Sequence, residues 1–239
     1  MWIIKLHQKY LFNKINLIIL FVLMVLSIIL GIILINPFMS DNIRWMYRGA
    51  FRSNFEQSYL VFLKILIVLF SSYLYTICFS NTSDNYSIIL VSKITKAKYF
   101  ITKVLSINLM LLITIMIFLI NYVIIGYFFS TWFYFELRIL KNFFNIYLIG
   151  LCYGYLSIIL IRSIKSIYIV LISFSLYLLS EILIDYVNTN IMVKLLEVFF
   201  PTTYIINDST ELVYGSLHLF ILSFLYFVFS FIIYKKIKE

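Results

Sequence analysis

The sequence predicts an all-α, polytopic membrane protein with six transmembrane helices, and three observations predict it. Hydrophobic residues fill 64% of the 239 positions and charged residues only 12%, against about 25% charged in a soluble domain. Phe and Tyr number 24 and 20, whereas Gly and Pro number 6 and 2, too few for the turns of a β-fold. The apolar residues come in unbroken runs of about 20, the length that spans hydrocarbon as helix, and do not alternate as strand residues do.

Residues 1–16 mix Lys5, Lys9 and Lys14 with Trp2, Ile3, Leu6, Tyr10 and Phe12. They read either as an amphipathic surface helix whose lysines reach anionic headgroups or as a disordered basic leader. The first span is 17–35, about 28 Å as helix, and Asn36 and Pro37 end it. No small-residue cleavage site follows, so it is expected to be a retained helix and not a signal peptide. The outer loop 37–57 carries Arg44, Arg48 and Arg52, a spacing that puts all three on one helix face. That basic stripe is either a headgroup anchor, helped by Trp45, or a gate for an acidic substrate or lipid.

The second span, 58–79, holds Lys64, and a polar connection at 81–103 follows it. The third span, 104–129, is long enough to tilt. Within it Asn108 and Asn121 can bond neighbouring helices at about 0.6 kcal/mol each. The outer loop 130–142 places Trp132, Phe133, Tyr134 and Phe135 at an aromatic belt. The fourth span, 143–161, contains Gly150 and Gly154, a G-x-x-x-G that lets a second helix approach closely. A tight inner turn leads to the fifth span, 167–186, which carries Glu181 and Asp185. The outer segment 187–214 includes an apolar stretch, 191–200, too short to cross, so it is expected to dip in and return at Pro201. The sixth span, 216–234, ends in Lys235, Lys236 and Lys238.

Charge placement orients these spans. Twelve of the 19 Lys and Arg residues fall in the N-terminal segment, the connections 81–103 and 162–166 and the C-terminal tail, six fall in the outer loops, and Lys64 lies within a span. Both termini are therefore expected on the cytoplasmic side, with Arg44, Arg48 and Arg52 as the one opposing group. A net charge of +9 confined to such loops is what membrane orientation produces, so no nucleic-acid partner is expected. The expected setting is a plasma membrane, bacterial in type.

No site for covalent chemistry stands out. His7 and His218 are the only histidines, and no H-E-x-x-H, G-x-S-x-G or phosphate-cradling G-x-x-x-x-G-K-[ST] occurs. Cys78 and Cys152 both lie in apolar spans, as packed thiols do. Glu181 and Asp185 share a helix face, as paired catalytic carboxylates would, but Asp185 sits at a span end, where a solvated carboxylate is ordinary. No catalytic residue, metal or cofactor is expected in this chain.

Two charges are placed for each other instead. Lys64 is six residues inside the outer start of its span and Glu181 five residues inside the outer end of its own, depths of about 9 Å and 7–8 Å. An unpaired charge at the bilayer centre costs roughly 2.5–3.5 kcal/mol, less toward the interface. An intramembrane Lys64–Glu181 pair is one expectation, and independent snorkelling of the two is the other.

The connection 81–103 concentrates Lys93, Lys96, Lys98 and Lys103 against the single acid Asp84. Ser83 can cap a helix whose N-terminal dipole suits Asp84. Tyr86, Ile89, Leu90 and Ile94 then fall on one face, and Ser92 and Thr95 can cap a break. Such a segment is either a lever on which a cytosolic partner pushes or a plain surface helix with solvated lysines.

With Asp84 to Leu90 followed by SKITKAKYFITK, and the late LLEVFFPTTYI, the chain resembles the membrane subunit of ABC-2 type transporters, six-span exporter permeases of type V architecture. Ser87, Lys96 and Thr102 stand where that family often has Gly, Arg and Gly. The resemblance implies that Asp84, Tyr86, Ile89, Leu90, Ile94 and Lys96 dock into a separate cytosolic ABC ATPase, which would bind ATP and Mg. It also implies a second permease copy or homologue, with Lys64 and Glu181 beside the translocation path, and external half-helices before Pro201. The expected function is ATP-driven movement of a hydrophobic or peptide substrate, as in export of, or self-protection against, a bacteriocin-like peptide. The alternative is a stand-alone membrane immunity or assembly protein that needs no ATPase.

Overall fold

The computed structural model describes residues 13–35, 55–80, 95–129, 133–161, 163–164, 166–186, 201 and 212–236, with backbone alone at 167, 183–186, 212–215 and 236. These form six helices and, among the described residues, no strand: α1 Lys14–Ile35, α2 Gln57–Ser80, α3 Lys96–Phe129, α4 Leu137–Leu160, α5 Ser166–Tyr186 and α6 Leu212–Lys236. Five of them, α1 to α4 and α6, are long and apolar enough to cross a membrane, and α5 supplies a shorter apolar stretch, Tyr168–Ile182.

Two helices start six or more residues earlier than the hydrophobic runs alone suggest. Residues 96–103 are the first two turns of α3 and not part of a connecting loop. Thr95 starts them, its Oγ1 accepting the Lys98 amide at 3.3 Å and its carbonyl the Tyr99 amide at 3.0 Å. Tyr99 and Phe100 are buried there, and their packing offsets the cost of ordering a lysine-rich turn. At 34 residues, α3 is about 51 Å long, well beyond the roughly 30 Å of hydrocarbon. The fourth helix likewise begins at Leu137, six residues before 143, because Arg138 in its first turn is neutralised by carboxylates rather than solvated.

The helix α1 shows which solvent the bundle is built for. Its buried residues are Asn16, Ser27, Gly31 and Ile35, mostly small or polar, while Phe21, Ile29 and Ile33 face outward. That is the reverse of an amphipathic helix on a water-soluble core and suits a multi-pass membrane protein. Small and polar contacts hold such helices together when lipid is as apolar as leucine. Asn121 on α3 accordingly donates to Ser27 Oγ at 2.9 Å.

The centre of the bundle is the contact between α2 and α4, the most extensive in the structure; α6 lies against α4, α5 against α2, and α1 against α3. Gly150 and Gly154 make that contact close. A methyl group at 150 would meet Ile67 Cγ2 at 2.6 Å, and one at 154 would run into the Tyr75 ring and reach Ser71 Oγ at 2.6 Å. Ser71 Oγ also donates to the Gly150 carbonyl. The G-x-x-x-G is thus used within the chain. Gly154→Ala should therefore lower stability by about 1–3 kcal/mol through overpacking, read as a lower midpoint of thermal unfolding in detergent. An unchanged midpoint would show that α2 and α4 can separate freely.

Candidate functional site

Inside the apolar bundle the polar side chains gather at three levels. The middle level is the pair read from depth. Lys64, 2% exposed on α2, points its Nζ at Glu181 Oε1 on α5, 3.4 Å away, and Glu181 is 30% exposed. The separation permits an ion pair and a long hydrogen bond. Around it α4 and α5 are joined by hydroxyls: Tyr153 Oη to Ser180 Oγ at 3.3 Å and Ser157 Oγ to Ser173 Oγ at 3.2 Å. Tyr177, one turn before Glu181, meets Tyr153 edge-on with ring centroids 5.7 Å apart. The carboxylate is thus the accessible member of a pair whose ammonium is enclosed. It can meet a passing polar group while Lys64 holds its charge in place.

A second ion-pair cluster sits where α2 and α4 begin. Arg138 reaches Glu56 Oε2 at 2.9 Å and Glu136 Oε2 at 3.7 Å. Phe55, Tyr59, Tyr122, Phe133 and Phe143 pack beside it as one aromatic cluster. The sequence reading leaves all three charges in outer loops and misses the cluster; only the Glu136-x-Arg138 spacing hints at it.

The third level is at the opposite end of the bundle. Lys103 is buried, its Nζ 4.9 Å from the centre of the Phe79 ring and 5.3 Å from that of Tyr99, within cation–π range. It also lies 3.5 Å from Tyr99 Oη. Phe79 is in the last turn of α2 and Phe100 near the start of α3; their rings are 5.6 Å apart, and Tyr234 of α6 lies 5.8 Å from the first and 5.0 Å from the second. One turn further in, Asn108 accepts from Tyr75 Oη and donates to Tyr155 Oη at 3.0 Å, tying α3 to α2 and α4. Reading Lys103 as one more surface lysine misses this; the signal available is Tyr99 four residues before it, on the same helix face.

Among the other expected site residues, Gly150 and Gly154 pack α4 on α2, and Lys96 is half-buried in the first turn of α3. Asp84, Tyr86, Ile89, Leu90 and Ile94, together with Arg44, Arg48 and Arg52, lie outside the described residues, as does the segment 187–200. Among the described residues no group of three or more His, Cys, Asp or Glu could hold a metal ion.

The pair gives the site its test. Lys64→Glu and Glu181→Lys should each lower the yield and thermal stability of the folded protein, by about 2–3 kcal/mol for a stranded charge, and the double exchange should restore much of the loss. Size-exclusion profiles and melting midpoints of the three variants decide it. Single variants that match the wild type, or a double variant as poor as their sum, would show that the pair contributes nothing.

No protein family matches this sequence, and neither a curated protein nor a solved structure matches it.

Proposed function

We propose that this chain is the membrane-spanning permease subunit of an ABC transporter of the ABC-2 type, driven by a separate cytosolic ATPase. In this reading all six helices cross the bilayer, both termini are cytoplasmic, and two permeases work with two ATPases that carry the ATP and Mg. The substrate is a hydrophobic molecule or a peptide, moved outward or kept out of a bacterial plasma membrane. The resemblance at 84–103 motivates the reading.

The observation that best supports it is how the two ends of the 81–94 connection are joined to the bundle. Phe79, before the connection, and Phe100, after it, touch each other and share Tyr234 of α6. Lys103 lies over the Phe79 ring and that of Tyr99. A displacement of Phe79 or Phe100 would therefore be felt by α2, α3 and α6 together. Asn108, Tyr75 and Tyr155 carry it on to α4. Packed aromatic clusters have few intermediate arrangements, so they transmit displacement efficiently.

Extraction from native membranes in mild detergent should bring an ATPase down with the chain. Leu90→Asp or Ile94→Asp should remove that ATPase while leaving the permease inserted and monodisperse. A complex that forms and hydrolyses ATP normally with either variant would sink the coupling role, and a chain that purifies with no ATPase at all would favour the stand-alone immunity or assembly protein.

Orientation is tested separately. In a background lacking Cys78 and Cys152, Ser53→Cys and Asn207→Cys should react with a membrane-impermeant maleimide on intact cells, and Lys96→Cys should not. External labelling at 96 would reverse the orientation and remove the ATPase contact with it.

A further inference from the structure

Three polar contacts tie α5 to α2 and α4, and all three are long: Lys64 to Glu181 at 3.4 Å, Tyr153 to Ser180 at 3.3 Å and Ser157 to Ser173 at 3.2 Å. Hydroxyl pairs ordinarily close to about 2.7–2.8 Å. Elsewhere the bundle does better, with Asn121 on Ser27 at 2.9 Å, Ser216 on Asn145 at 2.8 Å and Asn108 on Tyr155 at 3.0 Å. No glycine lies in α5 to bring its backbone close to a neighbour.

The contact of α5 with α2 also changes character along its length. Lys64 opposite Glu181 sets an antiparallel register, and the register recurs where Thr76 and Val170 line one space. Ser72 then stands at the level of Ser173, and Thr76 one turn further on, about 18 Å from Lys64 along the helix. Both side chains are buried, at 1% and 2% exposure, and neither hydroxyl has a hydrogen-bond partner. Ser173 does not supply one, because its hydroxyl lies on Ser157 of α4. Beyond Thr76, at the Lys103 end, the two helices are separated by a cavity of about 510 Å³ lined by Tyr73, Thr76, Ile77, Ser166, Val170 and Leu171. One end of the seam is thus closed by a charge pair, its middle holds unbonded hydroxyls, and its other end is already apart.

We infer that α5 is a hinged helix: it pivots at the Lys64–Glu181 pair and parts from α2 at the Lys103 end, so that water enters along Thr76 and Ser72. The two ends differ in what separation costs. Parting the pair strands an ammonium and a carboxylate at membrane depth. Parting the hydroxyls breaks no bond between α2 and α5 and lets both groups bond to water, which relieves the cost of leaving them unsatisfied in hydrocarbon. The arrangement described above, with both hydroxyls enclosed, is the closed one. Opening from one end gives the bundle a polar cleft that is reached from a single side of the membrane. The hinge needs neither an ATPase nor a second copy, so it stands or falls independently of the transporter reading.

The test uses the full chain in lipid nanodiscs, in a background lacking Cys78 and Cys152, with a small charged methanethiosulfonate that reacts only where water reaches a thiol. Thr76→Cys and Ser72→Cys should be modified about 10- to 1,000-fold more slowly than Lys98→Cys at an exposed site, the factor set by an open state populated at about 0.1–10%. Ser180→Cys beside the pair, Ile149→Cys in the core and Leu112→Cys on the lipid face should stay unmodified. Ser72→Ala should slow the reaction of Thr76→Cys roughly two- to tenfold, the worth of one hydrogen bond to water in the open state. If Thr76→Cys and Ser72→Cys are as inert as Ile149→Cys, the helices do not part. Reaction at Thr76→Cys alone would confine water to the cavity and overturn the seam. Reaction of Ser180→Cys as fast as Thr76→Cys would overturn the hinge, and an unchanged rate beside Ser72→Ala would overturn the part given to the hydroxyls. The substitutions that decide are close to the native residues in size; Ile149→Cys and Leu112→Cys serve only as controls.

Discussion

Much of the structure follows from the approach of α4 to α2. With no side chain at Gly150 and Gly154, the two backbones come close enough for Ser71 to bond a main-chain carbonyl of the facing helix. The remaining helices are then laid against this central pair. The hydroxyl-rich face of α5 meets α2 and α4, and α6 rests on α4 through Tyr155 and Phe227, ring centroids 5.6 Å apart. In a solvent that offers no hydrophobic drive for helices to associate, contact area and shared polar bonds hold the assembly. Any widening of this contact would loosen both at once.

The polar side chains obey the same constraint in two ways. Many hydroxyls satisfy themselves locally: Ser106, Thr114, Ser157, Ser180, Ser223 and Ser230 each donate to a carbonyl three or four residues back on their own helix. Groups with more bonding capacity reach across helices. Asn121 takes Ser27, Asn108 takes two tyrosines, Ser216 takes Asn145 at 2.8 Å, and Lys64 takes Glu181. These cross-helix bonds fix register as well as proximity, because a partner at the wrong height in the bundle is no partner at all.

What the sequence made legible follows that distinction. Helix number and type could be read from apolar runs, and Lys64 could be matched to Glu181 because both are isolated charges whose depth is countable from the nearest span end. Asn108 and Asn121 could be recognised as cross-helix donors, though not their partners. Residues near span ends were harder. Arg138 and Glu56 are 82 positions apart and stand where water-facing charges are ordinary, so nothing local marks them as a buried couple. Lys103 was hidden for a related reason, since a lysine close to other lysines looks solvated until the rings of Phe79 and Tyr99 are seen around it. The early starts of α3 and α4 escaped with them. Charge is read as an end signal, but a charge that finds a counter-ion or an aromatic face is no barrier to helix.

The 117 residues that separate Lys64 from Glu181 also have a meaning in time. Chain growth at about 5–20 residues per second leaves roughly 6–23 s between the synthesis of the two. Throughout that interval α2 carries its ammonium with no counter-ion from α5, and its glycine-faced neighbour α4 is completed only late in it, at Leu160. The nascent α2 is apolar enough to cross a membrane by itself, yet Lys64 meets its carboxylate only when α5 has been made. The pair therefore closes late in the making of the bundle, after the whole of α4 is in place beside α2 in the sequence of synthesis.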